Sequence, residues 1–194
     1  MFVLVENDSI TKTLSTSRGI TIGEKQYPRA IYTLWSAAER EAIGIYEVVF
    51  DNSNKKDEKY YNNTNQSLVF ADGVATSSYG SAIAKELADV TNEDDSITLG
   101  LKTQHKEIIK QQASSLLTPT DWYVVKATEV ESYSVPAAMT TYRAAVRTAS
   151  NDMEVLIDAC GTVDELAALY QQVNTGTEDN PVMERPLGEW PEKV

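Results

Sequence analysis

Apolar and polar positions alternate in short runs through the first 80 residues and recur at helical spacing through the rest. Residues 19–23 read Gly-Ile-Thr-Ile-Gly, an alternation between glycines that is typical of a half-buried strand. Asp72-Gly73 separates two short β-forming runs and predicts a hairpin with a two-residue turn. Runs of strand-forming residues predict four more strands, at residues 2–5, 45–50, 67–71 and 74–77.

Helix signals begin within this β-rich part and dominate after it. Ser36 and Glu39 fit a capping box, which predicts one short helix that ends by Gly44. Residues 81–89 predict another short helix, and residues 102–117 a longer one that Pro119 ends. Thr120-Asp121 is a candidate cap for a helix that runs through residue 125 towards residue 130.

A longer apolar pattern follows Pro136, which suits the first turn of a helix. Alternating steps of three and four residues predict an apolar seam of the coiled-coil type: Met139, Tyr142, Val146, Ala149, Met153, Leu156 and Cys160. Ser150 and its two successors could cap a new helix, so the pattern fits one helix or two that meet at an angle. Thr162 and Glu165 form a second capping box and predict a helix through Tyr170.

These patterns predict an α+β protein with a small antiparallel β-rich N-terminal domain at residues 1–80 and a helical C-terminal domain at residues 81–172. Residues 173–194 contain three prolines and no periodicity, which predicts an extended C-terminal tail. The acidic residues 89–95 are interpreted as a solvated linker. A calcium loop is the alternative, but the spacing of an EF-hand is absent.

Composition narrows the classes of function. The 194 residues carry 17 Lys and Arg against 29 Asp and Glu, a formal net charge of −12. Proteins that bind nucleic acid nonspecifically usually carry a basic surface, so we expect no nucleic-acid partner for this acidic chain. No stretch has the length and hydropathy of a membrane span, and the N-terminus lacks the features of a secretory leader. The sequence therefore predicts a soluble protein of intracellular origin.

One histidine and one cysteine leave little material for catalysis. An intrachain disulfide and a cysteine zinc cluster are excluded, and no phosphate loop, nucleophile elbow or zinc-protease motif is present. We therefore expect no enzyme, no cofactor and no metal site. His105 is expected at the surface or partly buried, and Cys160 as a small residue of the seam.

Arg143 and Arg147 are the most informative charged pair, because residues four apart share a face of a helix. They could bind acidic residues or helix ends within their own domain. Alternatively, they could dock an acidic segment of a partner or form an anion-binding catalytic site.

Two tryptophans admit two interpretations each. Trp122 either packs in the core or anchors a partner, since tryptophan is common at interface hot spots. Trp190 lies in the tail, where no local core is expected, so it either folds back onto its own domain or inserts into another chain.

The order of these motifs resembles a known family. Leu116-Leu117, Thr120-Asp121-Trp122, Val135-Pro136, Tyr142-Arg143 and Arg147 resemble the C-terminal segment of bacteriophage tail fibre assembly proteins. The resemblance covers residues 100–160. It departs from the family pattern at Val146, where leucine is usual, at Met139, where an aromatic is frequent, and at Thr148, where an acidic residue is usual.

The resemblance implies a non-enzymatic, phage tail-associated protein that binds tail fibre or other tail proteins during fibre assembly or attachment. Such chaperones act in the host cytoplasm. The alternative is a permanent structural protein of the virion tail, such as a tail or fibre adaptor, and a homo-oligomer is compatible with either role. The residues that we expect to organise the helical half or contact the partner are Asp121, Trp122, Tyr142, Arg143, Arg147 and Trp190.

Overall fold

The computed structural model describes residues 1–64 and 66–193, which divide into two compact units, residues 1–83 and residues 84–193. The first, the N-terminal unit, carries most of the strands, and the second, the helical unit, carries the long helices. The predicted α+β class is confirmed.

The N-terminal unit is built on a five-stranded sheet with the strand order β2-β1-β5-β8-β7. Its elements are β1 (Phe2–Glu6), β2 (Ser9–Leu14), β3 (Ile20–Ile22), β4 (Lys25–Tyr27), α1 (Ile31–Leu34), α2 (Ala37–Glu41), β5 (Ile45–Asp51), β6 (Tyr61–Asn62), β7 (Ser67–Ala71) and β8 (Val74–Ser78), with β9 (Ile83–Ala84) at the boundary. All the predicted strands are present, and the Ser36–Glu39 capping box opens α2 as expected. A further short helix, α1, precedes it.

Antiparallel pairing is confirmed for β1–β2, β1–β5 and β7–β8. The predicted Asp72-Gly73 turn joins β7 to β8, with positive φ at both residues, as a two-residue hairpin turn requires. β5 and β8 pair in parallel. Parallel strands need a long connection, and residues 52–73 supply it with β6 and β7.

Both faces of the sheet carry core residues. The sheet curls, so that β2 at one edge also contacts β7 at the other. One face packs against α1 and β3, and its buried members are Phe2, Leu4, Leu14, Ile20, Ile31, Tyr32 and Ile45. The other face buries Val3, Val5, Val48 and Ala75 inside the curl, beside the edge-to-face pair Tyr46 and Phe70.

The helical unit contains β10 (Val90–Thr91), β11 (Ile97–Thr98), α3 (Leu101–Leu117), a 3₁₀ turn (Thr118–Thr120), α4 (Asp121–Glu129), α5 (Ala137–Ala159), α6 (Val163–Ala168), β12 (Val173–Asn174) and β13 (Met183–Glu184). The helices α3 and α5 pack against each other and form its centre. The Thr162–Glu165 capping box opens α6 as predicted, although α6 ends before Tyr170.

The helix predicted over residues 81–89 is wrong. This segment crosses the N-terminus of α3, where the carbonyls of Glu86 and Leu87 accept from the amides of Leu101 and Lys102 at 2.9 and 3.0 Å. Its carbonyls therefore satisfy the free N–H groups of α3 and are not used for a helix of its own.

The acidic segment that follows forms the β10–β11 hairpin and is not an irregular linker. Asp89 accepts from the amide of Gly100 at 2.8 Å, and Asp94 accepts from the hydroxyl of Ser96 at 2.6 Å. These carboxylates therefore accept hydrogen bonds from a side chain of the hairpin and from the backbone of Gly100, which precedes α3.

The predicted seam is confirmed at Met139, Tyr142, Val146, Met153 and Cys160, and it is wrong at Leu156. Helix α5 is continuous through Ser150, so the two-helix alternative is wrong. Ile157 is buried where Leu156 was expected, and Leu156 is 38% exposed. A straight helix has 3.6 residues per turn, so its buried stripe drifts away from a strict heptad after a few turns.

Candidate protein-binding surface of the helical unit

Arg143 fixes the junction between α3 and α4. One of its guanidinium nitrogens donates to the carbonyl of Leu117 at 3.1 Å and to the hydroxyl of Thr120. The other lies 2.8 Å from a carboxylate oxygen of Asp121. Arg143 is 8% exposed, so a buried cation ties the carbonyl of Leu117 at the end of α3 to Thr120 and to Asp121, the first residue of α4.

Thr120 therefore has a different role from the predicted one. Its hydroxyl donates to the carbonyl of Leu117 at 2.6 Å and accepts from Arg143, and it makes no capping bond to α4. This geometry agrees with the interpretation that Arg143 binds helix ends and an acidic residue of its own domain.

Arg147 differs from Arg143 in exposure and in bonding partners, although both lie on the same side of α5. It is exposed, and its guanidinium donates to the carbonyl of Arg143 at 3.3 Å. Within residues 1–64 and 66–193, no carboxylate forms an ion pair with it. Of the predicted pair, Arg147 alone has charge available for another molecule.

Tyr142 lies in the core of the helical unit, at 3% exposure, with Ala113, Met139 and Val146. Its hydroxyl is buried and has no hydrogen-bond partner among the described residues. Its ring therefore contributes packing, while its hydroxyl carries an uncompensated loss of hydration.

Trp122 is 51% exposed, so the core interpretation of this side chain is wrong. It stacks on Tyr123 with ring centroids 3.8 Å apart, and the ammonium of Lys126 lies 5.9 Å from its ring centroid. Val125, one turn further along, is 52% exposed. We call Trp122 and Val125 the α4 surface.

The whole of α4 is unusual for a globular helix, because none of its nine residues is buried. Tyr123 is its half-buried contact with the core of α3 and α5. The helix is thus held at its first residue by Arg143, while the α4 surface remains exposed.

Trp190 folds back onto its own unit. It packs against the core around Tyr142 and donates from Nε1 to the side-chain carbonyl of Gln112 at 3.1 Å. Upstream in the same segment, Leu187 is 4% exposed and its amide donates to the carbonyl of Leu169 at 3.0 Å. Residues 173–193 contain the β12–β13 hairpin and pack on their own unit, so the expectation of an extended tail without a local core is wrong.

His105, the single histidine, is more deeply buried than the sequence predicted. His105 is 3% exposed, and its Nδ1 lies 2.6 Å from the hydroxyl oxygen of Tyr170. Its flanking residues, Gln104 and Lys106, are polar, so the local pattern gave no sign of burial. Cys160 lies in the core as predicted, where burial raises the pKa of its thiol.

Residues 1–64 and 66–193 contain no group of three His, Cys, Asp or Glu side chains placed to hold a metal ion. No helix in this part of the chain combines the length and apolar character that crossing a bilayer requires. Comparisons of the chain with protein-family models, with curated proteins and with solved structures find no match.

Proposed function

We propose that this chain is a non-enzymatic bacteriophage tail-associated protein that binds tail fibre or other tail proteins during fibre assembly or attachment. The observation that carries the proposal is the α4 surface, a tryptophan and a valine about half exposed on a helix that buries none of its residues. Exposed apolar patches mark interaction sites, and tryptophan is enriched among the residues that dominate binding energy.

The position of this surface within the resemblance supports the same reading. Trp122 belongs to the Thr-Asp-Trp segment, and Arg143 to the Tyr-Arg segment, of the resemblance to tail fibre assembly proteins. Arg143 binds Thr120 and Asp121, the two residues before Trp122. The motif residues thus form one contact group that presents the tryptophan.

The test is co-expression with the tail fibre protein of the same phage, followed by gel filtration. We expect a complex with the unaltered chain and a complex at least roughly tenfold weaker with Trp122→Ala, as for a hot-spot residue. Val155→Ala is the matched control, since Val155 is 67% exposed on α5 outside the α4 surface. Absence of a complex, together with unchanged fibre folding, would reject the proposal.

A permanent virion adaptor is the second candidate, and one feature of the N-terminal unit favours it. Val49 and Val69 both lie opposite Thr76 in the sheet register, and Val74 follows on the same face. These three valines, the outer sheet surface, are 45–55% exposed. An adaptor needs two contact surfaces, and this one lies on a different unit from α4.

Mass spectrometry of purified phage particles separates the two candidates. A stoichiometric amount of the chain in the particle favours the adaptor, and its absence favours a chaperone that is released. Light scattering of the free chain in solution tests the homo-oligomer that either role would allow.

A further inference from the structure

We propose that the groove between α3 and α5 binds one carboxylate side chain of the partner segment, with Arg147 as its counter-ion. The groove has a volume of about 450 Å³, and the residues that define it for this argument are Lys110, Ser114, Asp121, Arg147, Asn151 and Glu154. We call it the α3–α5 groove. The inference rests on the proposed function, because it specifies the chemistry of the segment that the α4 surface recognises.

The charges of the groove are paired except at Arg147. Arg143 is paired with Asp121 at 2.8 Å, and Lys110 is paired with Glu154 at 3.3 Å. Both carboxylates of the lining therefore already have a cation. Arg147 lines the same groove and adds one positive charge.

Two neutral groups of the lining could complete a carboxylate site. The hydroxyl of Ser114 and the side-chain amide of Asn151 both line the groove. In the part of the chain that the structure describes, neither side chain has a hydrogen-bond partner. A carboxylate beside Arg147 could therefore accept charge-assisted and neutral hydrogen bonds at once.

The same charges favour a single carboxylate over a phosphate or a nucleic acid. Three cations and two carboxylates line the groove, an excess of one positive charge, which matches one negative charge. A dianionic phosphate would add repulsion from Asp121 and Glu154. A polyanion would also meet the field of a chain with net charge −12.

The groove reaches the start of α4, since Asp121 lines the groove and is the first residue of that helix. A segment that places a carboxylate at Arg147 would have its neighbouring residues close to the start of α4. The partner that fits is a protein segment in which one acidic residue lies beside an apolar side chain.

The test uses an array of short peptides, each with one glutamate beside a leucine or tryptophan, matched to peptides with glutamine at the same position. The unaltered chain should bind the glutamate peptides at least roughly tenfold more tightly than their glutamine partners. Arg147→Gln should abolish this preference while its urea unfolding curve stays unchanged. Lys102→Gln removes one charge from α3 outside the groove and should keep the preference.

Equal binding of glutamate and glutamine peptides, the same preference in Arg147→Gln, or no binding of any peptide would each overturn the inference. Its failure is distinguishable from that of the proposed function. A fibre complex that forms equally well with Arg147→Gln but is lost with Trp122→Ala rejects only the carboxylate site. Glutamate peptides that bind through Arg147, with no fibre complex, support the site and reject the proposed function.

Discussion

Arg143 and Arg147 lie one helical turn apart on α5, yet their surroundings give them different roles. Arg143 is buried and bonds Leu117, Thr120 and Asp121, whereas Arg147 is exposed and donates to a carbonyl of its own helix. The difference comes from the neighbouring elements, because the end of α3 and the start of α4 form hydrogen bonds and an ion pair with Arg143 and not with Arg147.

Arg143→Lys should destabilise the helical unit. One ammonium on a flexible stem cannot replace a planar guanidinium that serves three partners in one fixed geometry. We expect a loss of about 1–3 kcal/mol in the free energy of unfolding. Urea unfolding measures it, with Arg147→Lys as the control within about 0.5 kcal/mol of the unaltered chain. Equal losses in both variants would contradict the anchoring role of Arg143.

Tyr142→Phe should leave stability unchanged or raise it by up to about 1 kcal/mol, because it removes a buried hydroxyl that has no partner among the described residues. The packing of the ring against Val146 and Met139 is kept. Urea unfolding is again the measurement. A loss above about 1 kcal/mol would show that the hydroxyl is hydrogen-bonded in solution.

At the scale of elements, α3 depends on a segment that is not helical. The carbonyls of Glu86 and Leu87 accept from the amides of its first two residues, Leu101 and Lys102, and Asp89 accepts from the amide of Gly100. The crossing brings two backbones so close that a methyl group on Gly100 would overlap the carbonyl of Ala88.

Gly100→Ala should therefore cost about 1–3 kcal/mol of stability, because the backbone around residues 86–89 must move. Gly161→Ala is the matched control. A methyl group there would meet one carboxylate oxygen of Glu165 at 3.5 Å, an ordinary contact, so its effect should be near zero. Thermal or urea unfolding compares the two. A neutral Gly100→Ala would mean that this segment does not pack closely on α3.

The elements that could be predicted from the sequence are those with local signals. The capping boxes at Ser36 and Thr162 and the Asp72-Gly73 turn act over a few residues, and all three are confirmed. The heptad pattern predicted buried residues from Met139 to Cys160 and failed at one exposed position, since Ile157 is buried and Leu156 is 38% exposed.

Contacts between distant residues could not be predicted in the same way. The parallel pairing of β5 with β8 depends on the path of a long connection. The burial of His105 depends on Tyr170, 65 residues away, and that of Trp190 depends on Gln112, 78 residues away. In the candidate site, the spacing of Arg143 and Arg147 predicted a shared face, but their different partners are set by the packing of α3 and α4.

At the scale of the whole molecule, the C-terminal segment belongs to the helical unit. Leu187 is buried, and Trp190 packs on the core that contains Tyr142. An extended tail without contacts to its own domain could be deleted without loss of stability. The contacts of Leu187 and Trp190 lead to the opposite expectation, a loss of stability on deletion.

Leu187→Ala should lower the free energy of unfolding by about 2–4 kcal/mol, since it removes a buried side chain and leaves a cavity. Val182→Ala is the control from the same segment, where the side chain is 43% exposed, and should change stability by less than about 0.5 kcal/mol. Equal small effects would indicate that the segment detaches from its unit in solution.

The position of Cys160 offers a way to follow the helical unit by itself. It is the one cysteine of the chain, is 6% exposed, and its Sγ donates to the carbonyl of Leu156 at 3.4 Å. Thiol reagents attack the exposed thiolate, and burial both covers this thiol and raises its pKa. The rate of chemical labelling therefore measures how often the helical unit opens, and the unfolding of the N-terminal unit, which has no cysteine, does not contribute a signal.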